Sequence, residues 1–179
     1  MAYGFIVEKT IAADNLDVLN INAIAAAGTN VDGGTAVVLG AYNKGQYTVT
    51  VAGAAAAAGV GIAYNPTEHL TEVNGKYFAG LSADPRDYTN IGGRPFDVFI
   101  PKKGDIIGFT AANFADGKLP STTNKNITTA ANGVWTAGAE AIAAGKVAFE
   151  LLEIENLPFP QAGVGIENAQ LYVCVCTNN

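Results

Sequence analysis

The stretch RPFDVFIPKKGDIIGFT, Arg94–Thr110, decides what kind of chain this is. Two apolar segments flank a lysine doublet, a glycine and an aspartate. The centre reads either as a basic loop gripping phosphate or as a bend between strands. In FDVFI, Phe96, Val98 and Ile100 share one face while Asp97 and Phe99 share the other, the period of two that marks a strand. Pro101 fixes φ and offers no N–H, so the ladder stops there. Gly104 supplies the positive φ of a bulged turn, and Asp105–Thr110 returns as a second strand. A phosphate-gripping loop places GxxxxGK[ST] between a strand and a helix. Here the glycine follows the lysines and a strand follows the glycine. The expectation is a hairpin with Lys102 and Lys103 exposed at its tip, where charge discourages edge-to-edge pairing.

The rest of the chain repeats the theme of short apolar runs between turn residues. Asp32-Gly33-Gly34 precedes a strand over Thr35–Tyr42, and Asn43-Lys44-Gly45 turns it into another over Gln46–Ala52. Asn74-Gly75 is a hairpin signal that pairs Leu70–Val73 with Lys76–Ala79, since both residues tolerate the φ of a type I′ turn. Leu81–Pro95, with its prolines, glycine pair and charges, reads as a surface loop. Ala111–Trp135 reads as a polar excursion from the core with one or two irregular strands. Ala137–Ala144 suits a short helix or coil equally. Lys146–Glu155 is a strand with Val147, Phe149, Leu151 and Ile154 inward, and Gln170–Thr177 a final one. The fold class is therefore mostly β, a compact β-barrel or β-sandwich with hairpins, long loops and at most short helices. Residues 1–20 form an N-terminal arm or first strand. Residues 21–179 form a single β-rich domain, with the polar excursion at about 111–135.

Charged residues make up 15% of the 179, below the roughly 25% of ordinary soluble domains. A surface of Ala, Gly, Thr and Asn keeps copies apart poorly, which suits a homo-oligomer or a partner-covered protein. The net charge of −6 and the lone basic doublet argue against nucleic acid and anionic membrane as partners. Met1–Asn15 lacks the basic and long apolar regions of a secretory signal, so the expected compartment of assembly is the cytoplasm.

No catalytic constellation emerges, no cofactor is implied and an enzyme is not expected. His69, in NPTEHLTE, is the only histidine and reads as a surface residue on a strand edge, not as a base for Asp84 and a hydroxyl. Glu153 and Glu155 share an exposed strand face and, with Glu150, do not form a glycosidase pair. Asp84, Asp87 and Asp97 lack the spacing of a calcium loop. Gly59-Val60-Gly61 lacks the rest of a dinucleotide fingerprint. Cys174 and Cys176 face one way on the last strand and read as buried thiols; with one histidine they complete no zinc site. Tyr64, Tyr77, Phe78, Arg86, Tyr88, Arg94 and Phe96 fall within one hairpin and its loop. Of these, Tyr64, Tyr77, Arg86, Tyr88 and Arg94 are candidate interface residues because Tyr and Arg are enriched at interface hot spots. Tyr3 and Phe5 are further candidates, on an apolar arm over Met1–Thr10 that extends a docking footprint while the β-domain folds without it.

The order DGGTAVVLG, NKGQYTV, VGIAYNPTEHLTEVNGKYFAGLSADPRDYTNIGGRPFDVFIPKKGDIIGFTA, a polar segment and AAGKVAFELLEIENLPFP resembles small auxiliary structural proteins of tailed bacteriophages, of the head-decoration or capsid-stabilising (cement) kind. The likeness spans Val31–Leu157 and is closest from YNPTEH to KKGDIIGFT. It implies a non-enzymatic virion protein on the capsid exterior, assembled in the host cytoplasm. Such a protein binds the major capsid protein where subunits meet, often as a trimer, and stiffens the shell. The family has no catalytic residues to carry over, and its contacts do not map onto single positions here. The alternatives are a tail-tube, head-fibre or baseplate subunit, or a carbohydrate-binding β-module that would use the sole tryptophan, Trp135.

Overall fold

The structure, a computed structural model, describes residues 3–10, 20–80, 82, 84–161 and 165–179. The chain is mostly β, as its sequence leads one to expect. In chain order the strands are β1 (Ile6–Thr10), β2 (Asn20–Ala25), β3 (Ala36–Asn43), β4 (Gln46–Val51), β5 (Gly61–Ala63), β6 (Leu70–Val73) and β7 (Lys76–Ala79), followed by β8 (Pro95–Phe99), β9 (Ile106–Thr110), β10 (Asn126–Thr129), β11 (Trp135–Gly138), β12 (Ala148–Gln161) and β13 (Gly165–Asn178). They form a closed barrel in the order β2-β4-β3-β5-β8, a six-stranded sheet in the order β1-β9-β13-β12-β10-β11, and the separate hairpin β6-β7.

Arg94–Thr110 is where the chain passes from barrel to sheet. β8 pairs with β2 and β5 in the barrel, whereas β9 pairs with β1 and β13 in the sheet. The expected β8–β9 hairpin is thus corrected to a sheet-switching bend. The turn itself keeps its expected chemistry: Gly104 has φ +99° and Lys102 and Lys103 are exposed. The buried Asp105 carboxylate accepts the Lys102 N–H at 2.7 Å, while Gly104 donates to the Cys176 carbonyl at 2.8 Å. A carboxylate folded into the turn opposes phosphate binding there.

Alternation on the barrel strands explains how the two layers share a core. Val37, Ala63 and Val98 point into the barrel, joined there by Ala23, Ala25, Val49 and Phe96. A barrel of only five strands has a narrow lumen, which small Ala and Val side chains fill. Their neighbours Ala36, Ile62 and Phe99 point outward and pack beneath the six-stranded sheet against Ile107, Phe109, Trp135 and Phe149. Phe99 does face opposite to Val98, as the period of two requires, but toward this second core and not toward solvent. Trp135 lies at the centre, tilted 5.4 Å from Phe109 and edge-on at 5.2 Å to Phe149, and its Nε1 donates to the Gly34 carbonyl at 2.8 Å.

Several expectations change. The segment 111–135 is no excursion: Phe114 and Ile127 are buried, Ala115 donates to the Trp135 carbonyl, and β10 and β11 form one side of the sheet. Its polarity reflects the exposed turns between buried anchors. Of the two readings of Ala137–Ala144 it is the coil that holds: the segment is the end of β11 followed by turns and coil. Ile154 is exposed instead of inward, because a register shift between Leu151 and Glu153 changes which side chains face the core. The part of the arm that is described, β1, is an integral edge strand. Ile6 is buried and its backbone N–H and C=O are both met by the Asn65 side chain, so removing Met1–Thr10 opens the core. Residues 1–2 and 11–19 lie outside the described residues.

Candidate docking surface

The loop expected at the surface is built around a buried cation. Pro85 begins a 3-10 turn over Pro85–Asp87, capped by Asp84. The Asp84 carboxylate accepts the Arg86 backbone N–H at 2.9 Å and its guanidinium at 2.7–3.1 Å. Arg86 Nη2 also donates to Glu167 of β13 at 2.6 Å, and the guanidinium lies 4.4 Å from the Phe159 ring of β12. Phe159 meets Phe5 edge-on at 5.6 Å, and Tyr3 N–H donates to the Arg86 carbonyl. Arg86 therefore ties the N-terminal segment, through its backbone carbonyl, to the loop and the far end of the β12–β13 ribbon, which its guanidinium holds. The Arg86 hydrogen bonds hold the Asp84 carboxyl below its ordinary value against the opposing effect of burial, and the Asp84 bonds push Arg86 further up.

Arg86 and Tyr88 are thus corrected from interface candidates to packed structural residues. Arg86 is enclosed by its ion pairs. Tyr88 is 2% exposed, donates to the Ser82 carbonyl and stacks flat on His69 at 4.5 Å. Tyr64 packs against Phe99 at 4.8 Å, and Phe5 against Phe159. Of the sequence candidates, Tyr3, Tyr77 and Arg94 reach solvent. Arg94 lies 5.0 Å from the Tyr77 ring and pairs with Glu68 at 2.6 Å, bracing the β6–β7 hairpin from one side.

That hairpin is the best-formed surface feature. Its register, Leu70↔Ala79 to Val73↔Lys76, is the one the Asn74-Gly75 turn predicts. No other strand pairs with it among the described residues. Pairing puts Thr71, Val73, Lys76 and Phe78 on one face, opposite to Tyr77, and Val73 and Phe78 are half exposed. The sequence reading had Phe78 within this aromatic cluster but missed Val73, as well as the exposed Leu152, Ile154 and Ile166 of the β12–β13 ribbon. A cleft of about 190 Å³, lined by Tyr3, Leu70, Thr71 and Ile91, separates the hairpin base from the Arg86 loop.

The other residues weighed for chemistry are held in structural roles. Glu150 pairs with Lys125 and Glu155 with Lys9 on the sheet surface, Asp87 accepts from Ser82, and Asp97 is exposed on the barrel. Among the described residues no three His, Cys, Asp or Glu side chains cluster as metal ligands, and no helix is long and apolar enough to cross a membrane. Cys174 and Cys176 are free and buried on the core side of β13. Burial raises both thiols. Cys176, with the Asp105 charge adding to the effect, is pushed up to about 12 from 9.0. A thiol raised on folding keeps its contribution below the unfolded value and loses it as pH rises through the folded one. Stability should therefore be insensitive to these thiols below pH 9 and decline from about 9 towards 12. Replacing both cysteines by alanine flattens that decline in urea titrations; an unchanged slope would refute the assignment. No protein-family model matches the chain, and no curated protein or solved structure matches it either.

Proposed function

We propose that this chain is a non-enzymatic virion structural protein that binds the outer surface of a tailed-phage capsid where subunits meet, with the β6–β7 hairpin as a docking element. The carrying observation is that hairpin: a two-stranded sheet that pairs with no other strand among the described residues, presenting Val73 and Phe78 to solvent on one face. An isolated hairpin is marginal in water, and exposed apolar groups on it gain from being covered. A standard interface covers about 800 Å² on each partner. The sequence pattern described above and the low charge support the same reading. Symmetry then repeats a modest contact over the shell, and self-association, with a trimer favoured, multiplies it.

The carbohydrate alternative loses its tryptophan, because Trp135 is fully buried and its Nε1 is engaged. The test is co-sedimentation with capsids lacking the protein. Saturable binding at a ratio set by capsid symmetry is expected. The double substitution Val73→Ser with Phe78→Ser should weaken binding by on the order of tenfold or more at unchanged circular dichroism. Wild-type binding unaffected by the double substitution would remove the hairpin from the interface. Failure of the wild type to bind would remove the capsid itself and favour a tail or fibre subunit.

A further inference from the structure

The chain contains the dipeptide Asn-Gly twice, at Asn74-Gly75 and Asn132-Gly133. Both asparagines are exposed and left-handed, with φ 52° and 60°, and the two glycines match closely at φ 73° and 71°. Their surroundings differ. Gly133 is buried, its N–H donates to the Ala52 carbonyl at 2.8 Å, and a Cβ placed on it would lie 2.6 Å from the Ala36 carbonyl oxygen. It directly precedes Val134 and the core residue Trp135. Gly75 stands in open space, with nothing within 4 Å of a Cβ added there, at the tip of a hairpin whose strands pair only with each other among the described residues.

We propose that Asn74 is a site of spontaneous backbone rearrangement, and that the fold protects Asn132 from the same chemistry. The Gly75 amide nitrogen, deprotonated by solvent, attacks the Asn74 side-chain carbonyl carbon. The new N–C bond forms, the bond to the side-chain nitrogen breaks and ammonia leaves, giving a five-membered imide. Water then opens the ring at either carbonyl, yielding aspartate or isoaspartate, with no oxidant or reductant involved. The rate follows the fraction of time each turn is open and free to bring the nitrogen and the carbonyl carbon together. The β6–β7 tip opens by local fraying. The Asn132 turn opens only by breaking the Ala52 hydrogen bond and lifting the segment that leads to Trp135. The product alters the hairpin directly. It adds a negative charge two residues from Lys76, and isoaspartate inserts an extra backbone carbon between the paired residues Val73 and Lys76. If the hairpin docks as proposed above, aged copies lose their docking face; the reaction itself does not depend on that reading.

The test is incubation of the full chain at mildly alkaline pH, with peptide mapping by mass spectrometry and enzymatic methylation of isoaspartate. The same chain in denaturant serves as reference. In denaturant the two sites should react at similar rates. In the folded chain Asn74 should convert faster than Asn132 by on the order of tenfold or more, the ratio expected when one turn frays locally and the other needs wider unfolding. Equal rates in the folded chain, a faster Asn132, or an Asn74 that stays intact while the denatured chain reacts fully would each overturn the proposal. Asn74→Gln should abolish the signal at that site and leave the Asn132 rate unchanged.

Discussion

Replacing Trp135 with alanine lowers the unfolding free energy by about 3–5 kcal/mol, read as a drop in the urea midpoint at constant slope. The side chain is fully buried between Phe109 and Phe149, on the sheet side of the shared core. Part of the effect is the cavity left among rings that cannot collapse onto alanine. Another part belongs to the hydrogen bond from Nε1 to the Gly34 carbonyl, which joins the sheet to the residues just before β3. Trp135→Phe separates the two. It restores most of the volume but leaves that carbonyl without its indole donor, and should cost about 1–3 kcal/mol. A Trp135→Ala cost as small as that of a surface substitution would show that the two layers are not packed through this residue.

Arg86→Met is the second large effect, about 3–5 kcal/mol at neutral pH, because it leaves the Asp84 carboxylate buried without its partner. Asp84→Asn together with Arg86→Met should be less destabilising than Arg86→Met alone, since the uncompensated charge is gone. The pH dependence distinguishes this cause from lost packing. In the wild type the Asp84 pKa lies below 3.8, so its contribution is present above about 3.8 and is lost as pH falls through the folded value. In Arg86→Met the folded pKa of Asp84 lies above 3.8, so the penalty is full at neutral pH and is relieved on acidification. The gap between wild type and variant should therefore narrow as pH falls from 7 towards 3. A constant gap would mean that Arg86 acts through its packing on Phe159 and not through its ion pair with Asp84.

Local chemistry was legible in the sequence, while long-range pairing was not. Asn74-Gly75 announced the hairpin and its register because a two-residue turn fixes which residues face each other. Val147, Phe149 and Leu151 were readable as inward from alternation alone. The β8–β9 step failed because a hairpin and a strand switching sheets share the same local pattern. What separates them is Phe99 packing under a sheet built from residues up to Asn178, which no local pattern contains. The Arg86 loop failed for a related reason. Asp and Arg in a proline-rich stretch are normally solvated, and Glu167 and Phe159, which make burial tolerable here, lie far along the chain. Of the docking surface, the hairpin and its Phe78 were visible but the exposed Val73 beside it was not singled out. The exposed Ile154 followed a register shift that composition does not reveal.

The placement of β13 governs when this chain can fold. It lies between β9 and β12, so the six-stranded sheet has no continuous ladder until residues 165–178 are in place. The side chain of Asn179 then closes the structure: its Oδ1 accepts N–H groups of Gly59 and Val60, and its Nδ2 donates to the carbonyls of Val60 and Pro101. While the chain is being synthesised, β1 and β9 can meet but remain one side of an unfinished sheet. Phe109, Trp135 and Phe149 are left without the β13 face that covers them. Such dependence on distant partners favours slow, all-at-once assembly once β13 has been made over stepwise folding of the strands that precede it. The aromatic core is thus exposed until β13 has been made, and the yield of native protein depends on how promptly that strand arrives.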